Sequence, residues 1–131
     1  MHKLPKAHRL HSRKAIQGLF TSGSKISGYP LRIIYDIHPN KIAAWPQVGV
    51  SVSKRKFSKA VDRNLLKRRM REAYRKNNES LKRYCIEKEL SINLFIIYLD
   101  AKMLRYSEIE KAIISLLQRL ESRIENEEVK P

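Results

Sequence analysis

Apolar residues recur at helical spacing near the start of the chain and again near its end. The first run predicts a short helix over residues 12–20, with Ser12 as its N-cap. The last run predicts a long helix with a capping box, because Ser107 is followed three residues later by Glu110. We expect its apolar stripe to pack on a sheet; the stripe consists of Ile109, Ile113, Leu116, Leu117, Leu120 and Ile124.

Between these two helices the apolar period changes to two, which is typical of strands. Residues 31–38 predict one strand, with Leu31, Ile33, Tyr35 and Ile37 on one face. Residues 47–53 predict a second, half-buried strand that pairs antiparallel with the first. Residues 91–99 are rich in β-branched and aromatic side chains and predict a central strand, and a basic helix is expected over residues 60–77.

The length of 131 residues fits one domain, and a hydrophobic fraction of 42% is enough for a core. We therefore predict a single α+β domain over residues 1–131, an α/β sandwich whose small, mostly antiparallel sheet is packed with helices. Its ends, residues 1–8 and 126–131, are expected to be flexible. The longest apolar run has about six residues and a spanning helix needs about 20, so no membrane association is expected. A single cysteine, Cys85, excludes an internal disulfide, and no signal peptide is visible, which favours a cytoplasmic protein.

The net charge of the chain indicates a protein that binds polyanions. Lysine and arginine number 28 against 13 aspartate and glutamate residues, so the formal net charge is +15. A charge this large favours nucleic acid as the partner. Residues 1–25 hold six cations and no acid, and residues 54–76 hold eleven cations and two acids. Because residues 107–131 are slightly acidic, we expect the last helix to serve as scaffold.

The basic helix has one apolar side and one cationic side. Its apolar residues are Leu65, Leu66, Met70, Ala73 and Tyr74. Its cations repeat every four residues on the other side, with two polar residues beside them; the set is Arg63, Lys67, Arg71 and Arg75, with Asn64 and Arg68. Like charges at this spacing repel by about 0.2–0.5 kcal/mol per pair. Bound phosphates would relieve that repulsion, and the arginine fork suits phosphate, so we interpret this side as a nucleic-acid contact rather than a solvated face.

These residues resemble a known family, the protein subunit of bacterial ribonuclease P. The likeness rests on four segments at the spacing of the family's signature: Ser53-Lys54-Arg55, Lys59-Ala60-Val61-Asp62-Arg63-Asn64, Lys67-Arg68 and Arg71-Glu72. It extends over residues 9–120 and includes the Arg9-Leu10 start, Phe20, Gly23 and Val48-Gly49-Val50. The resemblance implies the family's fold, in which a βαβ unit has an uncommon left-handed crossover.

The resemblance also implies a function, the removal of the 5′ leader from precursor tRNA by a ribonucleoprotein. In this family the RNA subunit carries the active site and its magnesium ions. We therefore expect no catalytic residue, metal ligand or cofactor on the chain itself. The expected partners are the ribonuclease P RNA and precursor tRNA, without a membrane or a required protein partner. The match assigns RNA contact to Lys54, Lys59, Arg63, Asn64, Lys67, Arg68 and Arg71.

A second surface implied by the resemblance is a cleft between the first helix and the sheet, which receives the single-stranded leader. Phe20 matches one of its aromatic residues, and strand residues around Tyr35 would line its floor. The chain departs from the family pattern where Leu65 replaces an arginine and where Ile16 and Ile34 stand at positions that are often aromatic. For Phe20, base stacking and core packing are both open.

Two other functions share parts of this pattern. A ribosomal or other structural RNA-binding protein would have the same charge distribution. A protein-only nuclease would need converging carboxylates, whereas Asp36, Asp62 and Asp100 are scattered singly along the chain. His8 and His11 could form a metal pair, but no further ligand accompanies them in the sequence.

Overall fold

A computed structural model describes residues 4, 8–10, 12–39 and 45–128 of the chain. These residues form four helices and four strands, in the order α1 (Arg13–Ser22), β1 (Ser24–Gly28), β2 (Leu31–Pro39), β3 (Gln47–Ser51), α2 (Ala60–Asn77), α3 (Glu79–Glu87), β4 (Leu90–Tyr98) and α4 (Tyr106–Glu128). The predicted α+β class is confirmed.

The four strands form one mixed sheet in the order β1-β2-β4-β3. Strand β2 pairs antiparallel with both β1 and β4, so the predicted mostly antiparallel sheet is confirmed. The predicted antiparallel pairing of residues 47–53 with residues 31–38 is wrong, because β4 lies between the two strands and β3 pairs parallel with β4. Parallel neighbours need a crossover, which α2 and α3 provide. The left hand of that crossover stays a prediction.

The main core lies on one face of the sheet, which we call the inner face. On it, Ile33 of β2 lies opposite Ile96 of β4, and both side chains are fully buried. Helices α2 and α4 cover this face with buried stripes: Leu66, Met70, Ala73 and Tyr74 from α2, and Ile109, Ala112, Ile113, Leu116, Leu117, Leu120 and Ile124 from α4. The apolar stripe predicted for the last helix is confirmed.

The opposite face of the sheet, the outer face, carries a smaller cluster beneath α1. Leu10, Leu19 and Ile34 are buried there, with Ile16 and Phe95 packed against them. Arg9 and Leu10, before α1, lie along the edge of β3, where the Leu10 N–H donates to the Val48 carbonyl at 2.8 Å. Residues 8–10 and α1 therefore enclose part of the outer face from two sides.

The ends of two helices test the predicted caps. Ser12 Oγ accepts a hydrogen bond from the Ala15 N–H at 3.2 Å, so the predicted N-cap of α1 is confirmed. The capping box of the last helix is wrong, because α4 begins at Tyr106 and places Ser107 inside the first turn. The Glu108 carboxylate instead accepts from the Arg105 N–H at 3.2 Å.

Two elements escaped prediction, the short strand β1 and the helix α3. Ile26 is the buried residue of β1, and Leu81 and Cys85 are the buried residues of α3. Most of the ends expected to be flexible, residues 1–8 and 126–131, lie outside the described residues. Leu4 and His8 are described, and both are buried. The extent of the domain over residues 1–131 stays a prediction.

Candidate nucleic-acid interface

A tight turn leads from β3 towards α2. Ser53 Oγ accepts hydrogen bonds from the N–H groups of Arg55 at 3.1 Å and Lys56 at 3.4 Å. Phe57 anchors the end of the turn, since its side chain is buried and its ring meets Tyr98 edge to face at 5.8 Å between centroids. The turn thus has a defined shape beside the N-terminus of α2.

This turn presents cations to solvent at the start of α2. Lys54 lies in the turn and is exposed, and Lys59, also exposed, occupies the N-cap position of the helix. Both predicted RNA contacts are therefore available to a partner at the same end of α2. Whether they bind RNA stays a prediction.

Arg63 links the turn to the helix. Its Nη1 donates to the carbonyl oxygens of Phe57 at 2.8 Å and Ser58 at 2.9 Å, and its side chain is half-buried. The predicted RNA contact of Arg63 stays a prediction, and the structure adds an architectural role that the sequence did not indicate.

A line of exposed polar residues runs along α2 beyond Arg63. Asn64, Arg68 and Arg71 are exposed, and spacings of four and three residues place them on one side of the helix. Lys67 lies beside them and is half-buried. Within the described part of the chain, these three cations form no ion pair. We call Asn64, Lys67, Arg68 and Arg71 the basic stripe.

The remaining cations of α2 are used within the fold. Arg75 pairs with Glu72 at 2.6 Å, and Arg69 Nη1 donates to the Leu104 carbonyl at 2.6 Å. Lys76 Nζ lies over the Tyr106 ring, 5.5 Å from its centroid. The basic stripe therefore differs from the other cations of α2, because the side chains of those cations contact groups within the fold.

A groove lies between α1 and the outer face of the sheet. Phe20 of α1 is 50% exposed, and its ring meets Phe95 of β4 edge to face at 5.3 Å between centroids. Ile34 lies opposite Phe95 in the sheet and is buried. Phe20 therefore offers an aromatic surface to solvent in the predicted cleft, as base stacking requires.

Tyr35 does not line this groove, so its predicted place in the cleft floor is wrong. Its side chain is 2% exposed and belongs to the main core on the inner face. Successive side chains of a strand point to opposite faces, so Ile34 and not Tyr35 faces α1.

The groove deepens into a pocket of about 500 Å³ at the edge of β3. Its lining residues are Arg9, Leu10, Ile16, Val48, Gly49, Val50, Arg71 and Phe95. Because Arg71 belongs to both, the basic stripe continues into the groove. The pKa of the Arg71 guanidinium is lowered, first by burial and then by the positive charge of Arg9.

Carboxylates are dispersed rather than gathered in the described structure. Asp36 accepts a hydrogen bond from Asn93 at 3.0 Å and lies 3.2 Å from His38, while Asp100 accepts from the Lys102 N–H at 2.8 Å. Among the described residues, no three His, Cys, Asp or Glu side chains are grouped as metal ligands. His11, half of the histidine pair, lies outside those residues. None of the helices described is both long and apolar enough to span a bilayer.

Comparison with known proteins gives matches to one family. The family described as Ribonuclease P matches residues 4–121. The chain is 31% identical over 127 residues to the ribonuclease P protein component of Porphyromonas gingivalis, which covers 97% of this chain and 93% of that protein. This chain belongs to the ribonuclease P protein family. A further relative, from a Picosynechococcus species, is 40% identical over 72 residues, or 55% of this chain and 60% of that protein.

Solved structures of the ribonuclease P protein family share the fold. The Staphylococcus aureus RNase P protein superposes with a TM-score of 0.63 at 22% identity, covering 88% of this chain and 96% of that one. The Thermotoga maritima protein gives a TM-score of 0.62 at 22% identity, covering 85% and 96%. At this level of identity the comparison supports the four-stranded mixed sheet and its helices.

Members of the ribonuclease P protein family are protein subunits of the ribonucleoprotein that processes tRNA, and RNA binding is typical of them. The partners of such a subunit are the ribonuclease P RNA and the tRNA substrate. Membership confirms the resemblance drawn from the signature segments and decides against the ribosomal-protein alternative.

Of the pocket lining, sequence reasoning assigned only Arg71 to a site, and the residues that it missed include Arg9, Gly49 and Phe95. Gly49 carried a usable signal, because a glycine inside a strand often marks a close approach of another group. Phe95 could have been placed on the face opposite Leu94 and Ile96 by strand alternation. For Arg9 the sequence offers no signal except its positive charge, because its position depends on pairing with β3.

Proposed function

We propose that this chain supplies RNA binding to ribonuclease P, while the RNA subunit carries the catalytic site and its magnesium ions. The observation that supports this division of labour is the basic stripe, whose charges are not paired within the described fold and which runs into an aromatic groove. Binding and positioning follow from such a surface, and bond cleavage does not.

The basic stripe, together with Lys54 and Lys59, is the surface that we assign to the ribonuclease P RNA. Each phosphate neutralised by such a cation releases counterions, which makes binding favourable and dependent on salt. The planar forks of Arg68 and Arg71 can each donate two parallel hydrogen bonds to one phosphate. Asn64 adds a side-chain amide that can both donate and accept on the same line.

The groove beneath α1 is the surface that we assign to the 5′ leader of precursor tRNA. A leader is single-stranded, and proteins bind single strands by stacking bases on aromatic side chains while cations follow the backbone. Phe20 supplies the exposed ring, and Arg71 supplies a cation in the lining of the pocket. Stacking tolerates any base, which suits substrates whose leaders differ in sequence.

Chemistry on the RNA would leave the chain a positioning and electrostatic role. Magnesium ions, when bound by the RNA, supply Lewis-acid catalysis and activate water. Asp36 and Asp100 are each engaged with neighbouring groups of this chain. The cations of the chain would reduce the repulsion between the catalytic RNA and its substrate, so that less magnesium is needed for the same affinity.

A binding measurement with bacterial ribonuclease P RNA tests the assignment of the basic stripe. We expect Arg68→Ala to weaken binding about five- to ten-fold and to reduce the slope of log K against log salt by about one, as for the loss of one phosphate contact. Arg83→Ala is the matched control, since Arg83 is an exposed arginine on α3 outside the stripe. Equal losses for the two variants, or no loss for Arg68→Ala, would contradict the assignment.

A further inference from the structure

The turn between β1 and β2 presents an aromatic ring at one end of the sheet. The turn consists of two residues, Tyr29 and Pro30, because Gly28 pairs with Leu31 in the hairpin register. The Tyr29 side chain is 73% exposed, whereas Pro30 is buried. Within the part of the chain that the structure describes, no aromatic ring or cation packs on the Tyr29 ring. The ring is therefore open to a partner.

The Tyr29 ring is held in place although it is exposed. Its hydroxyl donates to the carboxylate of Asp100, in the loop after β4. The Leu99 N–H donates to the Pro30 carbonyl at 2.8 Å, and this bond ties the turn to the end of β4. On the other side, Arg119 of α4 donates to a β1 carbonyl at 2.8 Å. A ring fixed in this way loses little conformational freedom when a ligand stacks on it.

The turn before α2 reaches the same place. Lys56 Nζ donates to the carbonyl of Leu99, the residue next to Asp100. Tyr29 and Lys56, which are distant in the sequence, are thus both bonded to the two residues that follow β4. Because the turn of Lys56 also carries Lys54 and leads into α2, Tyr29 lies at the end of the surface that we assign to the ribonuclease P RNA.

Exposed cations occupy both segments that meet beside the ring. Arg55 and Lys56 lie in the turn before α2, and Lys102 lies in the loop after β4. The carboxylate of Asp100 is engaged, since it accepts from the Tyr29 hydroxyl and from the Lys102 N–H at 2.8 Å. An aromatic ring beside cations is the arrangement with which proteins bind unpaired nucleotides, because the base stacks on the ring and the phosphates contact the cations.

We infer that Tyr29 stacks on an unpaired base of the ribonuclease P RNA, at the end of the surface that begins with Lys54. The inference rests on the proposed function, because it takes the basic stripe, Lys54 and Lys59 to contact that RNA. It adds a contact from the β1–β2 turn, which lies outside both α2 and the groove beneath α1. Bases of a paired RNA helix are stacked on one another, so the ring selects a single-stranded position.

The first test measures binding of a bacterial ribonuclease P RNA over a range of salt concentrations. Tyr29→Leu should weaken binding about five-fold or more at each concentration, as for loss of one stacked base. The slope of log K against log salt should not change, because the ring neutralises no phosphate. Arg68→Ala, measured beside it, should reduce that slope by about one.

Two control variants separate stacking from other effects of the substitution. Tyr29→Phe removes the hydrogen bond to Asp100 but keeps the ring, so it should bind within about two-fold of the unaltered protein. Ile114→Ala shortens an exposed apolar side chain on α4, away from this turn, and should leave binding unchanged. Equal losses for Tyr29→Leu and Tyr29→Phe would assign the effect to the hydrogen bond and would overturn the inference.

A second test identifies the partner of the ring. Tyr29→p-benzoylphenylalanine is incorporated into the full chain, and the holoenzyme is irradiated with precursor tRNA present. We expect a crosslink to a single-stranded nucleotide of the ribonuclease P RNA, mapped by reverse transcription. A crosslink to precursor tRNA alone, to a paired nucleotide, or to no RNA would overturn the inference. This test does not depend on the folding of Tyr29→Leu.

The binding measurements also separate the inference from the proposed function. If Arg68→Ala weakens RNA binding and Tyr29→Leu does not, the inference is overturned while RNA binding by the basic stripe stands. If neither variant weakens binding, the assignment of the basic stripe fails and the inference fails with it. Losses in both, with the salt slope changed only by Arg68→Ala, support the two together.

Discussion

Arginines of α2 differ in function according to what their guanidinium groups contact. Arg63 donates to two backbone carbonyls of the preceding turn, and Arg69 donates to a third carbonyl near α4. Arg68 and Arg71 are exposed and form no ion pair within the described residues. Identical side chains a few residues apart thus serve the fold in one case and the interface in the other.

Because these arginines make different contacts, we expect the same substitution to alanine to change stability differently at the two kinds of position. Arg63→Ala should lower the free energy of unfolding by about 1–2 kcal/mol, because a half-buried, charge-assisted pair of hydrogen bonds is lost. Arg68→Ala should change it by less than about 0.5 kcal/mol, as is usual for an exposed residue. Urea denaturation measures both values. Equal stability of the two variants would show that the bonds of Arg63 contribute nothing to the fold.

His8 and Trp45 are in contact, so the fluorescence of Trp45 can be used to follow the protonation of His8. Their ring centroids are 5.1 Å apart, and Lys82 Nζ lies 4.9 Å from the centroid of Trp45. The pKa of His8 is lowered from 6.5, first by burial and then by the charge of Lys82. Trp45 is the only tryptophan in the chain, so its fluorescence should follow the protonation of His8.

We expect a pH titration of Trp45 fluorescence to have a midpoint below 6.5, the ordinary pKa of histidine. Because the unfolded chain takes up this proton more readily than the folded chain, His8 should reduce stability as the pH falls below about 6.5. His8→Gln is the control and should remove the fluorescence transition. A midpoint at or above 6.5 would contradict the burial of His8 beside Lys82.

At the scale of elements, the groove depends on α1, a helix of only 10 residues. Short helices are marginal by themselves, so α1 relies on its cap and on the packing of Leu19 against Ile34. Ser12 caps the N-terminus of α1, and Phe20 near the other end of the helix meets Phe95. The wall of the groove is therefore sensitive to small losses in this helix.

Ser12→Ala should destabilise the protein by about 1 kcal/mol through loss of the N-cap. Ser22→Ala is the matched control in the same helix, because Ser22 Oγ bonds to the Gly18 carbonyl within the helix and caps nothing. We expect that control to change stability by less than about 0.5 kcal/mol. Urea denaturation compares the two, and equal effects would exclude a role for the Ser12 cap.

Elements with their own periodicity were predictable, and those that depend on partners were not. The spacing of apolar residues predicts the buried stripes of α2 and α4. Strand β1 has a single buried residue, Ile26, and forms because β2 provides its hydrogen-bonding partner. The pairing of β3 with β4 depends on the crossover through α2 and α3. The alternation of valines predicts a strand but does not indicate its partner strand.

The candidate site shows the same division. The cations of the basic stripe were predictable from helical spacing, whereas the cleft floor was assigned to the wrong strand residue. Both Ile34 and Tyr35 are buried, because helices cover both faces of β2, so hydrophobicity alone could not show which residue faces α1. Helix α3 carried a readable signal, the buried pair Leu81 and Cys85 at a spacing of four residues, which the prediction did not use.

For the whole molecule, the fold brings together two basic segments that are separate in the sequence. Residues 1–25 and 54–76 have net charges of +6 and +9, which together equal the +15 of the chain. Pairing of Arg9 with β3 places the first segment next to Arg71 of the second, at the pocket. Arg9 and the cations of α2 can then contact a catalytic RNA along α2 and a single-stranded leader in the groove, as we propose.

The most direct test is cleavage of precursor tRNA by a bacterial ribonuclease P RNA at low magnesium, with and without this protein. We expect the protein to increase kcat/KM for cleavage at the 5′ end of the mature tRNA, with the gain reduced by Arg68→Ala and retained by Arg83→Ala. The protein without RNA should not cleave the substrate. Cleavage by the purified protein alone, or no effect of the protein on the RNA-catalysed reaction, would contradict the proposed division of labour between protein and RNA.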